Sequence, residues 1–184
     1  MLSDSLRKGK RGKDITQVVC ETVEPIDLPI FERAWNKLAQ RHEILRTSIA
    51  WEGLREPQQR VHLNIHVPVR AEDWSGISDA EQKLRLESFL TQERRQGFDL
   101  SIAPLFRVGC FALGANRYFI TFTYHHILLD ARSLGILFGD VFEIYENEKS
   151  GESAPVAEVA SYRRVFEWIQ ANDPRKSEAF WREM

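Results

Sequence analysis

Cysteine, net charge and long apolar runs are what this chain has least of. Two of its 184 residues are cysteines, Cys20 and Cys110, far apart in sequence. Two distant thiols make neither a disulfide framework nor a zinc ligand set, and they fit a reducing compartment, so the expected location is cytoplasmic. Lys and Arg number 25 against 27 Asp and Glu, a formal net charge of −2. The basic excess that nucleic-acid binding draws on is missing, and no nucleic-acid partner is expected. No apolar run approaches the ~20 residues of a membrane span. No apolar signal-peptide core follows the basic N-terminus. The segments "GLREPQ" and "GDVFE" fit neither dinucleotide nor Walker spacing, so a Gly-rich phosphate loop is absent. There is no internal repeat and no low-complexity tract.

What is present is core material. Apolar residues make up 43% of the chain, enough for one domain or for half of a larger two-lobed one. Residues 1–13, "MLSDSLRKGKRGK", read as a flexible basic tail, with a docking arm for an acidic partner as the alternative. "ITQVVCETV" (15–23) is rich in β-branched residues and predicts a strand. Asp27 is placed to cap a helix that tolerates Pro29 in its first turn. Phe31, Ala34, Trp35 and Leu38 give that helix one buried face, and it should end near "QRHE".

"ILRTSIAW" and "QQRVHLNIHV" predict two strands joined by "EGLREP". In the second, Val61, Leu63, Ile65 and Val67 would share one face. His62, Asn64 and His66 would share the other, solvated rather than metal-bound, since no third ligand is near. Ser78 and Glu81 stand at capping-box spacing before a helix marked by Leu86, Phe89, Leu90 and Glu93 and ended by Gly97. "PLFRVGCFAL", "GAN" and "RYFITFTYHH" predict a hairpin. Leu134, Leu137, Phe138, Val141, Phe142 and Tyr145 would face inward from the next helix, which Gly151 follows. Two short helices are expected at 158–171 and 174–183. The order of elements points to an α/β sandwich with a mixed sheet packed by helices.

The chemistry gathers in "FTYHHILLDARS", Phe122–Ser133, which sets two of the chain's five histidines side by side at a strand end. Alternation sends His125 and His126 to opposite faces unless the strand is ending. One would enter a site, where an imidazole can act as a base near neutral pH. Asp130 could orient it or pin the loop through an arginine. An ordinary strand end, with one surface and one core histidine, explains the spacing as well. A metal pair fits poorly at i, i+1. A Ser-His-Asp triad through Ser133 lacks a nucleophile elbow.

"HHILLDA" (His125–Ala131) resembles the HHxxxDG signature of the condensation domains of nonribosomal peptide synthetases, whose family includes chloramphenicol acetyltransferase. "RHEILRTSIAW" (Arg41–Trp51) is similar to the family's RHExLRTxF motif. "ERRQGFDLSIAPLFRV" resembles the linker before the strand pair, and "SEAFWREM" the crossing into the second half. The resemblance implies a chloramphenicol acetyltransferase-like fold and an acyltransferase that makes amide bonds. His126 takes the position usually assigned to the general base, which would deprotonate the attacking amine, or orient it and stabilise charge as the tetrahedral intermediate forms. His125 takes that of a mainly structural residue. Asp130 takes that of a carboxylate holding the loop, with Arg46 as its salt-bridge partner. No metal and no directly bound cofactor is implied; the substrates ride on the phosphopantetheine of acyl or peptidyl carrier proteins.

Ala131 departs from the motif glycine, a cost if that position needs φ > 0. The family's first motif has no clear counterpart. The family domain has two similar lobes with the site between them, so residues 14–184 are expected to be the N-terminal lobe, without its C-terminal partner. Two other classes compete: a small self-assembling CoA-dependent O-acyltransferase, and a non-catalytic fragment that binds carrier proteins or a partner lobe.

Overall fold

The computed structural model describes residues 14–151, 161–171 and 182. The basic tail and, apart from Arg182, the helix expected at 174–183 lie outside the described residues. The elements are β1 (Ile15–Thr22), α1 (Leu28–Arg41), a 3-10 turn (Glu43–Arg46), β2 (Thr47–Ala50), β3 (Gln58–Val61), β4 (Val69–Asp73), α2 (Asp79–Gln96), β5 (Phe106–Gly114), β6 (Arg117–His125), α3 (Ala131–Ser150) and α4 (Tyr162–Ala171). Among the described residues no helix is long and apolar enough to cross a membrane.

Four strands form a mixed sheet in the order β1-β6-β5-β4. β6 runs antiparallel to both β1 and β5, while β4 runs parallel to β5. The hairpin between β5 and β6 turns through Ala115 and Asn116, at φ 49° and 61°. Two left-handed residues in succession match the twist of the strands they join. Alternation divides the inner strands between two cores. Phe106, Val108 and Cys110 of β5 and Ile120, Phe122 and Tyr124 of β6 pack with α1 and α3. Phe111, Leu113 and Phe119 pack with Trp74 and with Phe89 of α2. The sheet thus carries helices on both faces.

Aromatic geometry fixes each core. Trp35 stacks on Phe122 with ring centroids 5.3 Å apart, and Trp74 stacks on Phe111 at 4.2 Å. Gly109 admits the second arrangement, since a Cβ there would stand 2.6 Å from Thr121 Oγ1 and 2.9 Å from the Phe111 ring. Helix α1 begins as expected: the Asp27 carboxylate accepts the Ile30 N–H at 3.0 Å, and Phe31, Ala34, Trp35 and Leu38 are buried. The Ser78–Glu81 capping box opens α2, and Gly97 closes it.

Four expectations need correction. The second predicted strand stops at Val61, and β3 is exposed along its whole length. Val61, Leu63, Ile65 and Val67 share no face: Leu63 is 85% exposed, and Val67 alone of the four is fully buried. The reason is Asn36 on α1. Its carboxamide donates to Val67 O at 3.0 Å and accepts from Val67 N–H at 2.9 Å, so a helix side chain takes the place of a strand partner. The chain then enters β4, unmarked in the sequence because an edge strand tolerates charges such as Arg70, Glu72 and Asp73. The first strand of that predicted pair is shortened to Thr47–Ala50 by the 3-10 turn before it. On α3, Phe142 is 41% exposed while Ile144 is buried, because the inward stripe follows Leu137, Val141, Ile144 and Tyr145. Of the helix expected at 158–171, residues 158–160 lie outside the described residues, and α4 supplies Tyr162–Ala171.

Candidate active site

The paired histidines straddle the end of β6. His125 is its last residue, and His126 begins the turn that leads to α3. The His125 N–H bonds to Leu105 O at 3.0 Å, whereas the His126 N–H bonds to Asp14 O, beside the start of β1, at 2.6 Å. The ladder therefore grips the two residues from opposite neighbours, as alternation requires.

His125 is 3% exposed. Its Nδ1 receives the N–H of Ile127 at 3.1 Å. A peptide N–H only donates, so Nδ1 carries the lone pair and, in the neutral ring, the proton is on Nε2. Burial pushes the His125 pKa below the ordinary imidazole value; the Asp14 carboxylate opposes this and His126 adds to it.

His126 is half-buried, with Nδ1 2.8 Å from Leu129 O. A carbonyl only accepts, so here Nδ1 bears the proton and the lone pair of the neutral ring sits on Nε2. Neighbouring imidazoles are thus held in opposite tautomers by two backbone groups of one short turn. Leu128 and Leu129 are buried and anchor that turn.

Asp130 is exposed and caps α3. Its Oδ1 accepts the Ser133 N–H at 2.8 Å and the Ser133 hydroxyl at 2.7 Å, and these bonds hold its carboxyl below the usual range. Ser133 is thereby engaged with Asp130. Ala131 opens α3 outside the left-handed region, so its backbone needs no glycine.

The expected Arg46–Asp130 pair does not form. Arg46 lies in the 3-10 turn and donates from Nη1 to His62 O at 2.6 Å, with Nη2 4.0 Å from Glu43 Oε1. The His62 N–H returns to Arg46 O at 2.8 Å, and His62 Nε2 lies 2.8 Å from Ser48 Oγ. Arg46 is therefore spent on fastening the segment after β3, and Asp130 is satisfied within its own helix. His62 is accordingly a half-buried tether rather than the solvated residue expected. His66 is exposed, 3.7 Å from Glu32.

The backbone groups that orient the histidines, at Asp14, Ile127 and Leu129, are not legible in the sequence. Backbone carbonyls and amides leave no residue-type signal. The one clue is an aspartate before a strand, a type that accepts left-handed backbone. Among the described residues no group of three or more His, Cys, Asp or Glu side chains could hold a metal.

A family model described as "Condensation domain" matches residues 13–184. One component of the linear gramicidin synthase of Brevibacillus parabrevis is 37% identical over 183 residues, covering 100% of this chain and 2% of that protein. Bacitracin synthase 3 of Bacillus licheniformis is 32% identical over 167 residues, covering 91% of this chain and 3% of that protein. The crystal structure of the starter condensation domain of rhizomide synthetase superposes with a TM-score of 0.85 at 17% identity, over 99% of this chain and 46% of that one. That last likeness is one of fold, the mixed α/β architecture expected for chloramphenicol acetyltransferase relatives. The chain spans less than half of that solved structure and a few per cent of the two synthetases.

Proposed function

Because the chain belongs to the condensation-domain family, we propose that residues 14–184 are the N-terminal lobe of a domain that joins a carrier-bound acyl or peptidyl thioester to a carrier-bound amine. Condensation domains are acyltransferases of nonribosomal peptide synthesis, and phosphopantetheine-bearing carrier domains bring their substrates. In this reading the partners are those carrier proteins and a C-terminal lobe, which would form the other wall of the site. The setting is cytoplasmic, in keeping with two free thiols, of which Cys110 is pushed by burial up to about 12.

The observation that carries the proposal is the 2.8 Å approach of His126 Nδ1 to Leu129 O, from which the tautomer follows. Amide formation needs the attacking amine to lose a proton as its nitrogen bonds to the thioester carbon. With Nδ1–H committed to Leu129 O, the basic lone pair of His126 is on Nε2. Nε2 takes the proton as the N–C bond forms. The Leu129 carbonyl steadies the imidazolium, because a donated bond strengthens as the ring gains charge. As the C–S bond breaks, the proton returns to the leaving thiolate. His125 is unsuited to serve as the base. Its Nδ1 is filled by Ile127, and burial disfavours its charged form. It shapes the turn instead. Asp130 supports the site by fixing the start of α3.

The test is an amide-formation assay with donor- and acceptor-loaded carrier proteins, run on the chain alone and with a supplied C-terminal lobe. Turnover is expected only in the completed domain, because positioning between two lobes outweighs the base. His126→Ala should lower that turnover by about 10²–10⁴-fold. Undiminished turnover in His126→Ala would refute the assignment, and turnover by the isolated monomer would refute the one-lobe reading.

A further inference from the structure

We infer that Asp14 is a positioning residue for His126, and that it acts through its left-handed backbone. The inference rests on the reading of His126 as the base. His126 lies beyond the last paired residue of β6, since the β1–β6 register ends at Ile15↔His125. One further rung holds it, from the His126 N–H to Asp14 O at 2.6 Å. The ring is held separately, by Nδ1 to Leu129 O at 2.8 Å. Two carbonyls from sequence-distant segments thus fix the main chain and the imidazole of a single residue.

The rung depends on how Asp14 is bent. Its φ is 62°, in the left-handed region, while Ile15 after it is already in regular strand. Aspartate, asparagine and glycine enter that region readily, whereas a β-branched residue there is a strained outlier. A residue that rejected it would swing the carbonyl and release the His126 N–H. The carboxylate has a second, smaller part: it raises the proton affinity of His125 against the effect of burial. A shift of ~1 Å in a catalytic group can cost about 10²-fold in rate, so a loosened rung should register in turnover.

The experiment compares Asp14→Val and Asp14→Ala with Asp14→Gly and Asp14→Asn. The first readout is ring nitrogen NMR on the histidine-labelled chain, which needs no activity. Wild type, Asp14→Gly and Asp14→Asn should show His126 as a single Nδ1–H tautomer. Asp14→Val should show an averaged ring, and Asp14→Ala should follow it more weakly; the alanine variant decides if the valine variant does not fold. The second readout is the completed-domain assay, normalised to folded protein. There Asp14→Val should lose about 10- to 100-fold in kcat with KM within twofold, and Asp14→Gly and Asp14→Asn should restore it. A pinned tautomer and full kcat in both Asp14→Val and Asp14→Ala would overturn the inference. So would Asp14→Gly as impaired as Asp14→Val. A wild-type domain that pins the tautomer yet forms no amide would sink the condensation reading and leave the positioning of His126 by Asp14 standing.

Discussion

Arg107→Ala should destabilise the protein by about 3–4 kcal/mol, although Arg107 lies outside both the paired-histidine motif and the Arg41–Trp51 motif. Arg107 projects from β5 onto the last turn of α2. Its Nε donates to the carboxylate of Glu93, whose side chain is 6% exposed. Nη2 and Nη1 donate to Glu93 O and Gly97 O, both at 3.0 Å. The guanidinium lies over the Phe98 ring at 4.1 Å. One side chain thus neutralises a buried carboxylate and satisfies two carbonyls where the helix dipole is negative. Removing one partner of a buried pair costs about 3–5 kcal/mol, because the other charge is left uncompensated. The guanidinium is 29% exposed, so water reaches it and the low end of that range applies. Loss of the stacking on Phe98 adds about 0.5–1 kcal/mol. Urea denaturation followed by tryptophan fluorescence should show the midpoint falling by about 1–3 M at unchanged slope. Arg107→Met combined with Glu93→Leu leaves no orphan charge and should lie within about 1 kcal/mol of wild type. The reasoning fails if Arg107→Ala moves the midpoint by less than about 0.3 M, or if the double variant is as unstable as the single one.

Asp130→Ala removes the α3 cap and should lower the thermal unfolding midpoint by about 2–4 °C, with Asp130→Asn much closer to wild type. Combined with Arg46→Ala its effect should be additive, since the two residues share no partner; strong coupling would restore the ion pair rejected above. Ala115→Gly should stabilise by about 1 kcal/mol in urea titrations, because alanine at φ 49° is strained and glycine is not. Burial holds the His125 pKa below the ordinary imidazole value of 6.5, so the unfolded chain binds that proton more tightly than the folded one. The contribution of His125 to stability is therefore complete above pH 6.5 and declines as pH falls below it. His125→Asn, which keeps an acceptor for the Ile127 N–H, should flatten the slope of denaturation midpoints between about pH 7 and pH 5. An unchanged slope would show that His125 is not held neutral.

Local rules suffice where a residue type does one thing. The Asp27 and Ser78 caps, the Gly97 and Gly151 stops, the Phe31–Leu38 face and the β5–β6 hairpin stand as the sequence implies. The rules fail where a distant partner decides. Alternation from Val61 to Val67 has the look of a strand, but Asn36 on another element takes the backbone bonds of Val67. β4 shows no apolar alternation because it is an edge, and its parallel pairing with β5 bridges the whole of α2. The histidine pair is legible as two side chains of opposite fate. What orients them is main chain, and main-chain groups are the same at every position. The Arg46–Asp130 expectation erred in treating motif proximity as contact, when each group had a nearer partner.

The pairing of β1 with β6 also fixes when the site can exist. β5 and β6 are joined by a two-residue turn and can close within microseconds. β1 must instead wait for a partner whose register runs from Thr22↔Tyr118 to Ile15↔His125. On a ribosome adding ~5–20 residues each second, that delay is roughly 5–20 s. For that time a β-branched strand is out of the tunnel with nothing to pair with, and it is the part of the nascent chain most open to wrong association. The rung from His126 to Asp14 forms beyond the last pair of this ladder. An ordered His126 therefore reports that this long-range pairing, whose last rung joins residues more than a hundred positions apart, has been completed.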